Sequence, residues 1–137
     1  MPNIKFSDLH LGMSASLDHP VTVAVIEMFG EATGDRNPLH FDEAYAAASQ
    51  YGGRVAHGAL LVGFVSAVLA NKLPGPGSVA REMAIRFKKP VRPGDVVTSK
   101  VVVRELTEKT RKVTFDCYSY VGGELVARGE ASALVPD

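Results

Sequence analysis

The sequence has 137 residues, 46% of them hydrophobic, and its fifteen basic and fifteen acidic side chains give a formal net charge of zero. This length and composition predict one globular domain over residues 1–137. Because there is no basic excess, neither nucleic acid nor a membrane surface is expected as a partner. Cys117 is the only cysteine, so no intrachain disulfide can form. We therefore expect a cytoplasmic protein.

The first third of the chain predicts one strand and one helix. Alternation over Met13–Leu17 indicates a short strand. Thr22–Ala32 has the spacing of an amphipathic helix, which its first residue caps and Gly34 ends. His10 and His19 lie among residues typical of loops, and neither has a second ligand at metal-site spacing. No metal site is expected.

The next segment, Gly-Asp-Arg-Asn-Pro-Leu-His over Gly34–His40, predicts a tight turn. Pro38 keeps the residue before it out of helical dihedrals. Residues five apart on a helix would point about 140° apart and could not converge. A turn can instead direct Asp35 and His40 at one point, as an acid and a base. Asn37 either fixes this turn by a hydrogen bond or is simply a turn-forming residue.

Two helices are predicted to follow. Asp42 caps a short alanine-rich helix from Glu43 to about Ser49. The second helix, at about 57–71, is apolar in almost every direction around its axis, which predicts burial on all sides. Its apolar run falls well short of the roughly 20 residues that span a bilayer. Asn71–Gly77 then ends it.

From Ser78 onward the apolar pattern has the period of two that is typical of strands. Short connections predict that consecutive strands pair antiparallel. The whole pattern indicates an α+β domain in which a curved antiparallel sheet wraps the central helix. Such a sheet leaves an edge open, so we expect a homodimer. The four predicted strands are Val79–Lys88, Asp95–Leu106, Arg111–Val121 and Glu124–Val135.

The sequence contains two motifs, in this order: Gly-Asp-Arg-Asn-Pro-Leu-His-Phe-Asp, and then Val-Ala-His-Gly before the apolar helix. Together they resemble the motifs of the MaoC-like dehydratases of the hot-dog fold. Within that family the sequence is most similar to the (R)-specific enoyl-CoA hydratases. The resemblance implies reversible syn addition of water to a trans-2-enoyl thioester, which gives a (3R)-hydroxyacyl thioester. It also implies that Asp35 and His40 are catalytic and that the backbone N–H of Gly58 binds the thioester oxygen.

The chemistry is consistent with this resemblance. Hydration needs a base for the water, a proton for C2 and stabilisation of the enolate oxygen. An acid–base pair typically contributes about 10²–10⁴-fold, and one oxyanion donor about 3 kcal/mol. Neither a cofactor nor a metal is expected, since coenzyme A or a carrier protein carries the acyl group as part of the substrate. His57 is either a structural residue at the helix start or a second base.

Asn37 and His57 are also expected to contact substrate, and further contacts are expected along the central helix and the first strand after it. Hydratases that resemble this chain often carry serine where this sequence has Gly63, and Ser66 lies one turn further on. Arg86 and Lys88 belong to a basic cluster that could bind coenzyme A phosphates or an acidic carrier protein. Ordinary exposed strand charge is the alternative.

Three other functions compete with hydration of enoyl-CoA. An acyl-carrier-protein dehydratase and a hot-dog thioesterase are the enzymatic alternatives. Many members of both groups place a catalytic carboxylate on the central helix, but Ala59–Ala70 contains neither Asp nor Glu. A non-catalytic acyl-thioester-binding protein is the third alternative. The presence of both Asp35 and His40 argues against it, whereas Gly63 argues mildly for it.

Overall fold

The computed structural model describes residues 4–136. This part of the chain folds into one five-stranded antiparallel sheet and four α-helices, after a 3-10 turn at Phe6–Asp8. The fold is the hot-dog-like α+β arrangement that the sequence predicts. The helices are α1 (Val23–Thr33), α2 (Pro38–Phe41), α3 (Glu43–Ala47) and α4 (Gly58–Asn71). The strands are β1 (Ser14–Pro20), β2 (Val79–Phe87), β3 (Val96–Thr107), β4 (Lys112–Val121) and β5 (Glu124–Leu134).

The strand order in the sheet is β1-β3-β4-β5-β2. The predicted antiparallel pairing of β3, β4 and β5 is confirmed. The predicted pairing of β2 with β3 is wrong, because β2 pairs with β5 at the far edge of the sheet. The connection from β2 to β3 is bound by other segments instead: Ala56 N–H donates to the Val91 carbonyl at 2.7 Å, and Gly94 N–H donates to the Val21 carbonyl at 2.7 Å. With these bonds, the β2–β3 connection crosses the end of the sheet and does not form a hairpin.

Helix α4 packs on one face of the sheet, where each fully buried aliphatic or aromatic side chain contributes about 1.5–3 kcal/mol. The prediction that α4 is buried on all sides is wrong for this protomer. Ala59 and Gly63 are exposed, because the sheet covers only one side of the helix. No helix within residues 4–136 has the length and hydropathy needed to cross a membrane. The buried side chains of α4 are Leu60, Leu61, Phe64, Val65, Val68 and Leu69.

Local signals in the first third of the sequence are largely confirmed. Thr22 caps α1 by accepting a hydrogen bond from Val25 N–H at 3.0 Å, and Gly34 ends the helix with a left-handed φ of 77°. His19 does not lie in a loop as expected. It belongs to β1, opposite Val97, and its ring stacks on Phe64 with a centroid distance of 4.2 Å. The first strand is therefore longer than alternation alone indicated.

Candidate active site

The segment between α1 and α2 is held by a chain of short-range hydrogen bonds. Asp35 Oδ1 accepts from Asn37 N–H at 3.3 Å, and Asn37 Oδ1 accepts from Leu39 N–H at 3.1 Å. Asn37 thus hydrogen-bonds within the turn and caps α2. The predicted tight turn is correct for Asp35–Asn37 but wrong for the rest, because Pro38 begins a single helical turn that contains His40. Proline is well suited to the first position of a helix.

The imidazole of His40 is oriented by the backbone just before α4. His40 Nδ1 lies 2.7 Å from the carbonyl oxygen of Val55. A carbonyl can only accept, so Nδ1 carries the hydrogen and donates it. In the neutral ring, Nε2 then has a free lone pair and can accept a proton from water. Arg54 holds the same turn from the other side, because its Nε donates to the backbone carbonyl of His40 at 2.7 Å.

Two polar side chains of one segment and a third from the start of α4 converge at this point. Asp35, His40 and His57 each contribute one nitrogen or oxygen atom, and these atoms lie within 4.8 Å of one another. Asp35 is exposed, His40 is half-buried and His57 is buried. Burial lowers the pKa of His57, and the nearby His40 lowers it further. These side chains are of the types that bind Zn²⁺, but the sequence predicts no metal. The role proposed for Asp35 and His40 is to hold a water molecule.

A cavity of about 320 Å³ connects His40 to the start of α4. Gly58 lines it, and within residues 4–136 neither a carbonyl nor a side chain accepts a hydrogen bond from Gly58 N–H. A Cβ at Gly58 would lie 3.2 Å from the ring of Phe87, so glycine allows that ring to lie against the helix start. Asp35 is not among the lining residues. The others are Leu39, Tyr51, Val55, Ala56, Leu61, Lys88, Lys89, Pro90 and Val91.

Of the six residues expected to contact substrate, only Lys88 lines this cavity. Asn37 and His57 are hydrogen-bonded to Asp35 beside it, and the other three lie elsewhere. Arg86 lies beside Arg128 in the sheet and lines a separate depression with Glu130. Gly63 is exposed, and a Cβ placed there would meet no atom within 4 Å. Ser66 is half-buried on the next turn of α4. In the protomer, Lys88 and Gly58 are therefore near His40, whereas these three residues are not.

The family model for the MaoC like domain matches residues 10–120 of the chain. The chain is a member of the MaoC-like dehydratase family. It is 43% identical to the 3-hydroxybutyryl-CoA dehydratase of Methylorubrum extorquens over 96% of this chain and 83% of that protein. It is 42% identical to the (R)-specific enoyl-CoA hydratase of Rhodospirillum rubrum over 96% of this chain and 91% of that protein.

Solved structures agree with this assignment to the MaoC-like dehydratases. The R-hydratase PhaJ1 of Pseudomonas aeruginosa superposes with a TM-score of 0.92 at 34% identity, covering 98% of this chain and 87% of that one. The (R)-hydratase of Aeromonas caviae superposes with a TM-score of 0.89 at 36% identity, covering 93% of this chain and 98% of that one. The predicted family and hot-dog fold are thus confirmed.

Sequence reasoning missed two contacts that build the site of this MaoC-like dehydratase. The carbonyl of Val55 orients His40, but a backbone acceptor leaves no mark on residue type. The second is made by Arg36, which pairs with Glu27 and Glu31 of α1 and lies 4.7 Å from the centre of the Phe41 ring. The two glutamates stand four residues apart, which could have indicated a shared cation.

Proposed function

We propose that this protein is an (R)-specific enoyl-CoA hydratase, a hydro-lyase that adds water reversibly and syn to trans-2-enoyl-CoA to give (3R)-hydroxyacyl-CoA. One observation carries the proposal: Asp35 and His40 converge beside a cavity lined by Gly58, whose N–H has no acceptor within residues 4–136. Relatives named for enoyl-CoA hydration and hydroxyacyl-CoA dehydration, at 36–43% identity, support it.

In the proposed reaction, Asp35 and His40 hold one water molecule and move its proton. His40 Nε2 takes a proton from the water as the oxygen bonds to C3. The electrons of the C2–C3 double bond then move toward the thioester, whose oxygen becomes an enolate. Return of the proton from His40 to C2 on the same face completes a syn addition. Asp35, an acceptor when ionised, orients the water and stabilises the imidazolium.

Gly58 would bind the enolate oxygen. It is the first residue of α4, and its N–H is one of the donors that a helix start leaves unpaired. The aligned peptide dipoles place about half a positive charge at this end. The donor is fixed before the reaction begins, so it does not have to reorganise as negative charge develops. Stabilisation is therefore greatest for the enolate-like transition state.

The thioester carrier is proposed to be coenzyme A, with Lys88 as a phosphate contact. Lys88 and Lys89 both line the cavity, but Lys89 is already paired with Glu124. Lys88 is exposed and has a flexible ammonium group that suits a phosphate. The reaction uses no cofactor. A panel of enoyl-CoA substrates from about four to twelve carbons, set against the same acyl groups on carrier protein, would test the carrier and the chain length.

The direct test is the loss of enoyl absorbance with crotonyl-CoA. We expect Asp35→Asn and His40→Ala each to abolish hydration while circular dichroism and the melting temperature stay near those of the wild type. His40→Asn is a sharper variant, since its amide can still donate to the Val55 carbonyl but cannot accept a proton from water. Rapid hydration by both an Asp35 and a His40 variant would refute the assignment of the acid–base pair.

A carrier-protein dehydratase is the second candidate, since the mitochondrial 3-hydroxyacyl-[acyl-carrier-protein] dehydratase of Arabidopsis thaliana is 30% identical over 82% of this chain and 69% of that protein. The carrier panel separates it from the first candidate. Release of free thiol from acyl-CoA without hydration would instead indicate a thioesterase. Tight acyl-CoA binding with neither reaction would indicate a non-catalytic binder.

A homodimer remains part of the proposal. The exposed face of α4 around Ala59 and Gly63, together with the unpaired edges of β1 and β2, supports it. Light scattering coupled to size exclusion should give twice the mass of 14.6 kDa. A monomer that hydrates crotonyl-CoA would contradict it. The cytoplasmic location is likewise a prediction, which cell fractionation tests.

A further inference from the structure

His57 is a buried titratable residue that the acid–base chemistry above does not use. Its side chain is 1% exposed and lies among three aromatic rings. The ring centroids are 4.7 Å away for Phe29, 3.9 Å for His40 and 5.4 Å for Phe41. His57 Nε2 is 3.2 Å from the backbone carbonyl oxygen of Asp35. Within the described chain, Nδ1 has no hydrogen-bond partner.

These contacts define the state of the ring. The Asp35 carbonyl can only accept, so Nε2 carries the hydrogen and donates it. The Nδ1 atom is then the unprotonated nitrogen of a neutral imidazole. A neutral ring is also what the surroundings favour, because burial and the nearby His40 and Arg36 lower the pKa of His57 more than Asp35 raises it. His57 therefore acts here as a hydrogen-bond donor to the main chain.

Stability alone does not explain a histidine in this aromatic cage. Its Nδ1 is a buried acceptor without a partner, and such an atom has lost its water without a replacement bond. An apolar side chain of similar size would fill the same space without that cost. His57 is also the last residue before α4. The residue that donates to the Asp35 backbone is therefore the direct neighbour of Gly58 in the chain. The ring thus connects two halves of the site that are 22 residues apart in sequence.

We propose that His57 is a positioning residue of the hydratase site: its Nε2–H fixes the main chain of Asp35, and its ring supports the face of His40, so that the acid–base pair stays in register with the Gly58 amide. This inference rests on the proposed function. The role goes beyond that of a helix-start residue, because it requires a donor at the end of the side chain and not merely a group that fills the cage.

A matched pair of variants isolates that donor. His57→Gln and His57→Met have similar length and flexibility, but only glutamine can donate to the Asp35 carbonyl. We expect His57→Met to lower kcat by about tenfold to a hundredfold with little change in KM, since a displacement of about 1 Å at a catalytic pair has effects of this size. We expect His57→Gln to stay within about threefold of the wild type. Rates are normalised to the folded fraction measured by circular dichroism.

A second measurement does not depend on turnover. The amides of Asn37 and Leu39 are bonded within the Asp35 turn. In His57→Met, both should exchange with solvent faster by NMR and change chemical shift, whereas in His57→Gln both should resemble the wild type. Equal kcat values or equal amide exchange in the two variants would overturn the inference. If the wild-type protein hydrates none of the enoyl-CoA panel, the proposed function fails, and the amide comparison still decides the positioning role.

Discussion

Replacing Gly58 by proline should remove the proposed oxyanion donor while leaving α4 intact. Proline has no N–H, and the first position of a helix tolerates it because the N–H there has no partner within the helix. The backbone already fits, since His57 has φ −61° and ψ 134°, the extended conformation that a residue before proline prefers. Gly58 N–H donates to no acceptor in the part of the chain that the structure describes, so the direct cost to stability should be small.

The matched control is Gly58→Ala, which keeps the N–H. Both variants add a Cβ, which would lie 3.2–3.3 Å from three atoms of the Phe87 ring. Phe87 is 52% exposed, so its ring can move by the few tenths of an ångström required. That displacement is common to both variants and cancels in the comparison. What remains is the loss of the amide hydrogen together with the two further ring carbons of proline.

The loss of one preorganised oxyanion donor typically costs about 10²–10³ in kcat, or about 2.7–4 kcal/mol. We expect kcat for crotonyl-CoA to be lower by this factor in Gly58→Pro than in Gly58→Ala. KM should also rise in the proline variant, since the ring carbon that replaces the hydrogen crowds the thioester oxygen. Circular dichroism and urea denaturation check that α4 is retained. A folded Gly58→Pro protein with a kcat within about tenfold of Gly58→Ala would refute the assignment of this amide.

Three further outcomes are expected. Gly129→Ala should lower the free energy of unfolding by about 3 kcal/mol or more in urea denaturation, because its Cβ would lie 1.8 Å from the Ala84 carbonyl oxygen across the β2–β5 pairing. Lys88→Ala should raise KM for enoyl-CoA at low salt and lose that effect at high salt, whereas an unchanged KM would remove Lys88 from the site. Acidification below the ordinary histidine pKa of 6.5 should destabilise the wild type more than His57→Met, because the unfolded state binds the proton first; parallel pH dependences would contradict a neutral buried ring.

The parts of the fold that the sequence predicted depend on neighbouring residues. Thr22 and Gly34 act within one helical turn, so the bounds of α1 followed from local chemistry. The position of β2 did not follow from local chemistry. A short connection favours the pairing of β2 with β3, and the hydrogen bonds that prevent this pairing come from segments distant in sequence. One of these bonds runs from Ala56 N–H to the Val91 carbonyl, and a backbone bond of this kind cannot be recognised from the residue types. Nor could periodicity tell which side of an apolar helix the sheet would leave uncovered.

The candidate site could be proposed from the sequence as a set of residues but not as a geometry. Asp35, His40 and Gly58 follow from two motifs and the needs of hydration. Their convergence depends on backbone acceptors, which every residue has and which sequence therefore cannot distinguish. The free nitrogen of His40 is specified by the Val55 carbonyl, and this contact separates a base that can take a proton from water from one that cannot. Only the structure therefore indicates which nitrogen of His40 can take a proton from water in the proposed reaction.

The loop before α4 explains why both motifs occur together. Arg54 donates to the His40 carbonyl, Val55 binds the His40 ring, and His57 binds the Asp35 carbonyl. Each of these bonds is made to the other motif, so the loop holds the acid–base pair before any substrate arrives. Gly58 follows immediately, and among the described residues its N–H has no acceptor. A substitution in this loop that displaces Asp35 and His40 should therefore change their position relative to the proposed oxyanion donor, Gly58 N–H. Such loop variants should lose kcat in larger proportion than affinity for the thioester.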